Sequence, residues 1–130
     1  MKQHVLGMWK SDAAIKDMAN YIYTLICGEV KKKGSMILMS ERARQFFTWG
    51  ANDYRYIKSV CGCYGLGFQV SGLKFKGRVR IWYNPSSDYF DVEFLRTLKD
   101  EVVESYEDID LTQLHNVLHR FIEREDDPEV

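Results

Sequence analysis

The apolar positions of this chain change period twice. Between Ser11 and Cys27, residues Ile15, Met18, Ala19, Ile22, Leu25 and Ile26 recur at steps of three and four, which predicts an amphipathic helix. Ser11 is placed to cap it, Asp12 falls in its first turn, and Gly28 or Gly34 is available to end it. The Lys31-Lys32-Lys33 run then falls near the negative end of that helix's dipole. Met36-Ile37-Leu38-Met39, bounded by polar residues, reads as a brief buried strand. Ser40, followed by Glu41, opens a second short helix through about Trp49, which Gly50 can end. From Asn52 to Cys61 no period holds, and the segment fits a strand or a packed loop equally.

From Tyr64 onwards the period is two. Tyr64, Leu66, Phe68 and Val70 alternate with Gly65, Gly67, Gln69 and Ser71. After the breakers Gly72 and Gly77, Val79, Ile81 and Tyr83 alternate with Arg78, Arg80 and Trp82. Asn84-Pro85-Ser86-Ser87-Asp88 is a turn, because proline presets φ and the Asn, Ser and Asp side chains bond the local backbone. Phe90, Val92 and Phe94 alternate with Asp91, Glu93 and Leu95, and a further strand falls within Glu101 to Tyr106. A final helix capped by Asp110 carries Leu111, Leu114, Val117, Leu118, Phe121 and Ile122 on one face. The predicted fold is therefore α+β: an N-terminal helix, a short second helix, an antiparallel meander of about three to five strands, and a C-terminal helix packed on one sheet face. Residues 1–130 read as a single domain, with a polar tail from about residue 125 beyond the last helix.

Composition agrees with one globular domain: 130 residues, 45% hydrophobic, with three Trp, eight Tyr and seven Phe against two Pro, which excludes a disordered chain. No apolar run reaches the roughly 18 residues of a membrane span, and no apolar stretch follows Lys2 as in a secretory signal. Three cysteines, Cys27, Cys61 and Cys63, form an odd set that suits a reducing cytoplasm better than a disulfide framework, and buried or half-buried free thiols are the simplest reading.

Charge adds a second layer. The net charge is −1, yet residues 1–85 carry 14 Lys and Arg against 5 acids and residues 86–130 carry 4 against 14. Lys74, Lys76, Arg78, Arg80 and Trp82 share one parity, a basic stripe ending in an aromatic that could contact phosphates and stack a base. Register decides what that stripe meets. If the apolar sets of the last two alternating runs share one face, paired residue numbers sum to an odd value. A sum of 173 sets Arg80 against Glu93 and Trp82 against Asp91; a sum of 171 sets Arg80 against Asp91 and Arg78 against Glu93. Both give the arginines acidic neighbours and leave only Lys74 and Lys76 uncompensated. The same parity lets Trp82 lie opposite Gly67.

Catalytic motifs fail one after another. Gly62-Cys63-Tyr64-Gly65-Leu66-Gly67 runs into a strand rather than a helix, so it is not a dinucleotide fingerprint. His115 and His119 stand at i and i+4, a spacing that suits one metal, but a third ligand is not evident and both follow apolar-face residues, at the rim of the buried stripe. Asp91 and Glu93 facing arginines are poor general acids, and the serines lack a nucleophile elbow. No catalytic residue, metal or cofactor is implied.

From Ile26 onwards the chain resembles small uncharacterised single-domain proteins carried by phages and mobile elements of gut bacteria. The resemblance rests on Met36-Ile37-Leu38-Met39-Ser40 with Arg44-Gln45-Phe46-Phe47, Ile81-Trp82-Tyr83-Asn84, Asp88-Tyr89-Phe90-Asp91-Val92-Glu93-Phe94, and Ile109-Asp110-Leu111-Thr112-Gln113-Leu114. It implies a helix, meander, helix domain in a bacterial cytoplasm, and no activity. The expectation is a non-enzymatic accessory domain that binds a protein partner or a second copy of itself, since Trp, Tyr and Arg dominate interface energetics. The alternatives are nucleic-acid contact through Lys31, Lys32, Lys33, Lys74, Lys76 and Trp82, or mimicry of a nucleic acid by the acids around Glu104, Glu107 and Asp108.

Overall fold

The computed structural model of the chain describes residues 12–123, and the Ser11 cap and the tail from residue 125 lie outside the described residues. The elements run α1 (Asp12–Cys27), β1 (Val30–Lys33), β2 (Met36–Met39), α2 (Glu41–Thr48), β3 (Asn52–Lys58), β4 (Tyr64–Ser71), β5 (Lys76–Asn84), β6 (Tyr89–Leu95), β7 (Val102–Ile109) and α3 (Leu114–Ile122). The architecture is α+β, with a five-stranded antiparallel meander in the order β3-β4-β5-β6-β7 and a separate two-stranded hairpin, β1-β2. No helix among the described residues is long and apolar enough to cross a membrane.

The period-two runs place one layer of side chains. Leu66, Phe68, Val70, Val79, Ile81, Phe90, Val92 and Phe94 are buried on one face of the meander, where Ala19, Ile22 and Ile26 of α1 and Leu114, Leu118 and Ile122 of α3 cover them. Phe121 stacks on Phe94 at 4.1 Å between ring centroids and fixes α3 to the sheet. Strand β5 pairs with β6 in the register whose numbers sum to 173: Arg80 faces Glu93, Trp82 faces Asp91, and Pro85 to Asp88 form the loop. Asp88 takes the left-handed conformation at φ 65° and accepts a 2.6 Å bond from the Tyr83 hydroxyl. That bond pushes the Tyr83 pKa up to about 12.

Several expectations are corrected. Trp82 lies opposite Gly65, and Arg80 takes the place opposite Gly67, two residues from the register first drawn. Gly65 is needed there because a Cβ at that position would collide with the Ile81 carbonyl oxygen of β5. The unassigned stretch after Asn52 is strand β3, at the sheet edge. Strand β7 extends past Tyr106 to Ile109, through an irregularity in its pairing with β6. Asp110 caps a turn rather than the last helix: its Oδ1 accepts from the Thr112 backbone N–H and hydroxyl, the helix starts at Leu114, and Leu111 is left exposed.

The lysine run is not at a helix end. Gly28, at φ 76°, stops α1, and Val30–Lys33 turns into a strand that pairs with β2 across Gly34, also at positive φ. Nor is β2 buried: Met36, Ile37 and Leu38 are 59%, 61% and 45% exposed. The hairpin is held at its base, where Ser40 exchanges backbone and side-chain bonds with Glu29 and caps α2 through Ala43 N–H at 3.1 Å. Beyond that base, no described element covers the side chains of Met36, Ile37 and Leu38.

Candidate functional site

The uncovered face of the meander holds the residues that first suggested nucleic-acid contact. Arg78 lies 82% out of solvent along its side chain, between Asp53 at 3.3 Å and Gln69 at 3.5 Å. Its acidic partner comes from β3, the strand whose pattern the sequence left open. Arg55 bonds the same carboxylate, and the two guanidinium groups hold Asp53 below the usual carboxylate range. Arg80 sits 3.9 Å from Glu93 and 3.3 Å from Asp100, while the Trp82 indole donates to Glu93 at 3.0 Å. The stripe is thus a chain of internal pairs.

The remaining candidates are dispersed. Lys74 lies in the turn after β4 and donates to the Arg120 carbonyl at the end of α3. Lys76 lines an open cleft with Arg96 and Lys99, and neither Lys74 nor Trp82 lines it. Lys31, Lys32 and Lys33 stand on β1, where alternation sends Lys32 to one face and the other two to the opposite face. No single surface gathers the six residues.

The histidines build an internal clasp. His115, expected at the rim, is 1% exposed. Its Nδ1 lies 2.7 Å from the Ile26 carbonyl at the end of α1, and its Nε2 lies 2.9 Å from the Gln45 side-chain amide of α2. A carbonyl can only accept, so Nδ1 carries the proton, and the neutral ring's Nε2 accepts once the Gln45 amide is turned to present nitrogen. Burial pushes the His115 pKa below its ordinary value, Arg42 and His119 add to that push, and the Ile26 bond opposes it. The buried Trp49 indole donates to His119 Nδ1 at 3.0 Å. Among the described residues, no group of three or more His, Cys, Asp and Glu is placed to hold a metal. These rings tie three helices together, and the helical period alone could not reveal it because the partners lie about 70 and 89 residues away.

Two further surfaces went unrecognised in the sequence. One is a cavity of about 270 Å³ on the uncovered sheet face, where Trp82 meets Asp91, Glu93, Glu107, Cys61 and Cys63. Cys61, read as buried or half-buried, is exposed. The other is β2 itself, whose outer edge has no strand partner among the described residues. Both outer edges of the meander are charged and irregular: β3 carries Asp53, Arg55 and Lys58 with a register shift, and β7 carries Glu104, Glu107 and Asp108 with two. Such features block strand addition. The edge of β2 is Met-Ile-Leu-Met and has neither. No family model, curated protein or solved structure matches this chain.

Proposed function

We propose that this protein is a non-enzymatic binding domain that works by protein–protein contact, and that its first contact is with a second copy of itself through β2. The observation that carries the reading is the apolar, uncharged edge of that strand, which no described strand pairs, while the other apolar strands are covered or edge-protected. Antiparallel pairing of two β2 strands about a two-fold axis, with Met36 against Met39 and Ile37 against Leu38, sets apolar against apolar throughout. Pairing through β1 would instead set Lys31, Lys32 and Lys33 against their own copies, which repel. The exposed parts of Val30, Met36, Ile37 and Leu38 amount to several hundred Å² per copy, below the roughly 800 Å² per partner of a standard interface. Association in the micromolar range or weaker follows.

Sedimentation velocity over a wide concentration series tests this. Wild type is expected to shift from monomer to dimer, the double variant Ile37→Lys/Leu38→Lys to stay monomeric, and a Lys31→Glu/Lys32→Glu variant to keep dimerising. A monomer at all concentrations, or an unchanged dimer in the double variant, overturns the reading. Nucleic-acid binding is the competing reading, supported by the exposed lysines of β1; it requires salt-sensitive retention on heparin that the same lysine variant loses. Mimicry of a nucleic acid by Glu104, Glu107 and Asp108 requires capture of a basic partner instead.

A further inference from the structure

The β3–β4 connection is built around Ser59. Its backbone N–H donates to the Cys63 carbonyl at 2.8 Å, its carbonyl accepts from Gly62 N–H at 3.3 Å, and its hydroxyl oxygen accepts from Cys63 N–H at 3.2 Å. The same hydroxyl lies 3.2 Å from the Cys61 sulfur. Gly62, at φ 96°, supplies the left-handed turn between the two cysteines. Residues two apart cannot have Cα atoms separated by more than about 7 Å, the upper edge of the span a disulfide bridges. Cys61 is exposed, whereas Cys63 is partly buried and borders the cavity with Trp82.

We propose that Cys61 and Cys63 form a redox-active dithiol, with Cys61 as the attacking thiol and Cys63 as the resolving one, and that its reaction partner is a small cationic disulfide. The division of roles follows from the surroundings. The Ser59 hydroxyl, foremost, and the Cys63 thiol stabilise the Cys61 thiolate and lower its pKa, while burial raises that of Cys63. A low-pKa exposed thiol beside a protonated neighbour is the arrangement of sensor and exchange cysteines. In the reaction, the Cys61 thiolate attacks one sulfur of R–S–S–R; that bond breaks, and one RS⁻ leaves and takes a proton from water. Cys63 gives its proton to solvent and attacks the Cys61 sulfur, which forms the intramolecular disulfide and expels the second RS⁻, protonated in turn. The protein gives up two electrons and two protons, and the small disulfide becomes two thiols. Because Cys61 is exposed, the disulfide so formed is open to attack by a thiol reductant, which reverses it.

The preference for a cation comes from the cavity. Asp91 and Glu107 line it together with Glu93, whose charge Arg80 partly offsets, and no described lysine or arginine does, so a positively charged disulfide is drawn in and an anionic one repelled.

The test uses the full chain carrying Cys27→Ala, so that only this pair reacts. Cystamine and oxidised glutathione are added in turn at low salt, and the products are followed by intact mass and peptide mapping. Cystamine is expected to convert the protein to the form lacking two hydrogens, with Cys61 and Cys63 linked. Cys63→Ser is expected to stop at a stable mixed disulfide on Cys61, and Ser59→Ala to react several-fold more slowly while keeping its circular dichroism spectrum. Cystamine is expected to react at least several-fold faster than oxidised glutathione, with a ratio that shrinks as salt is added. A wild-type protein that stops at the mixed disulfide, or a Cys61→Ser variant that reacts as fast as Cys63→Ser, overturns the pair. Equal rates with the two disulfides overturn the substrate class.

Discussion

The two antiparallel sheets of this protein use similar residues and meet opposite fates. Phe68 and Val70 of β4 are essentially fully buried because α1 and α3 lie across them, whereas Ile37 and Leu38 of β2 keep about half their surface in water because no described element covers them. The segment Met36–Met39 is more uniformly apolar than Tyr64–Ser71, which holds two glycines, a glutamine and a serine. Hydrophobicity of a short strand therefore does not decide its burial. What decides it is whether the chain brings a second layer over it.

The sharpest way to break the contrast is to truncate one side chain in each sheet. Phe68→Ala, at a site sealed on all sides, is expected to cost about 3–5 kcal/mol of unfolding free energy in urea titrations. Ile37→Ala, measured at a concentration that keeps the protein monomeric, is expected to change it by less than about 0.5 kcal/mol. Equal losses would mean the hairpin is packed after all. Next in size is Gly65→Ala, which drives a methyl into the Ile81 carbonyl and is expected to cost about 1–3 kcal/mol. Gly34→Ala tests the hairpin's counterpart: a Cβ there meets nothing within 4 Å and only the positive φ resists it, so the loss is expected to be near 1 kcal/mol.

Ser40→Ala removes the cap of α2 and the Glu29 contact at the hairpin base, for an expected loss of about 1 kcal/mol by thermal or urea unfolding. Acid acts on the packed side of the molecule through His115. The folded-state pKa of His115 lies below its unfolded value, so the unfolded chain takes up a proton first. The stability that the neutral ring supports is full above pH 6.5 and falls as pH drops from there toward the folded pKa. The slope from one such group cannot exceed about 1.4 kcal/mol per pH unit. His115→Gln is expected to flatten urea midpoints between neutral pH and pH 5.5, and an unchanged slope would place the titrating group elsewhere.

The charged face of the meander shows how far pattern reasoning reaches. Alternation at Arg78, Arg80 and Trp82 was enough to put them on one face, and odd-sum pairing was enough to bring acids toward them. It could not supply Asp53, because the bulge between Asn52 and Arg55 breaks the period that would have marked β3 as a strand. The histidine clasp was illegible for a different reason. His115 and His119 follow Leu114 and Leu118 by one position, so the helical period places them at the edge of the stripe. Only the arrival of Trp49 and Gln45 from α2 encloses them. The Cys61 and Cys63 site was visible as two residues and invisible as a site, since the Ser59 bonds and the acidic cavity come from the turn and from β6 and β7.

By itself, the sequence determined the class of the fold, the start and end of α2, the strands of the meander from Tyr64 to Leu95 and the two candidate registers. Each of these is set by local rules: period, capping residues, turn chemistry and the alternation of faces. The tertiary structure alone decided which of two registers formed, which apolar strand was left in water, which carboxylates neutralise the arginines, and that two imidazoles serve as internal struts. Those outcomes depend on contacts between residues tens of positions apart, and a buried polar group or an uncovered apolar one acquires its energy only from what stands next to it.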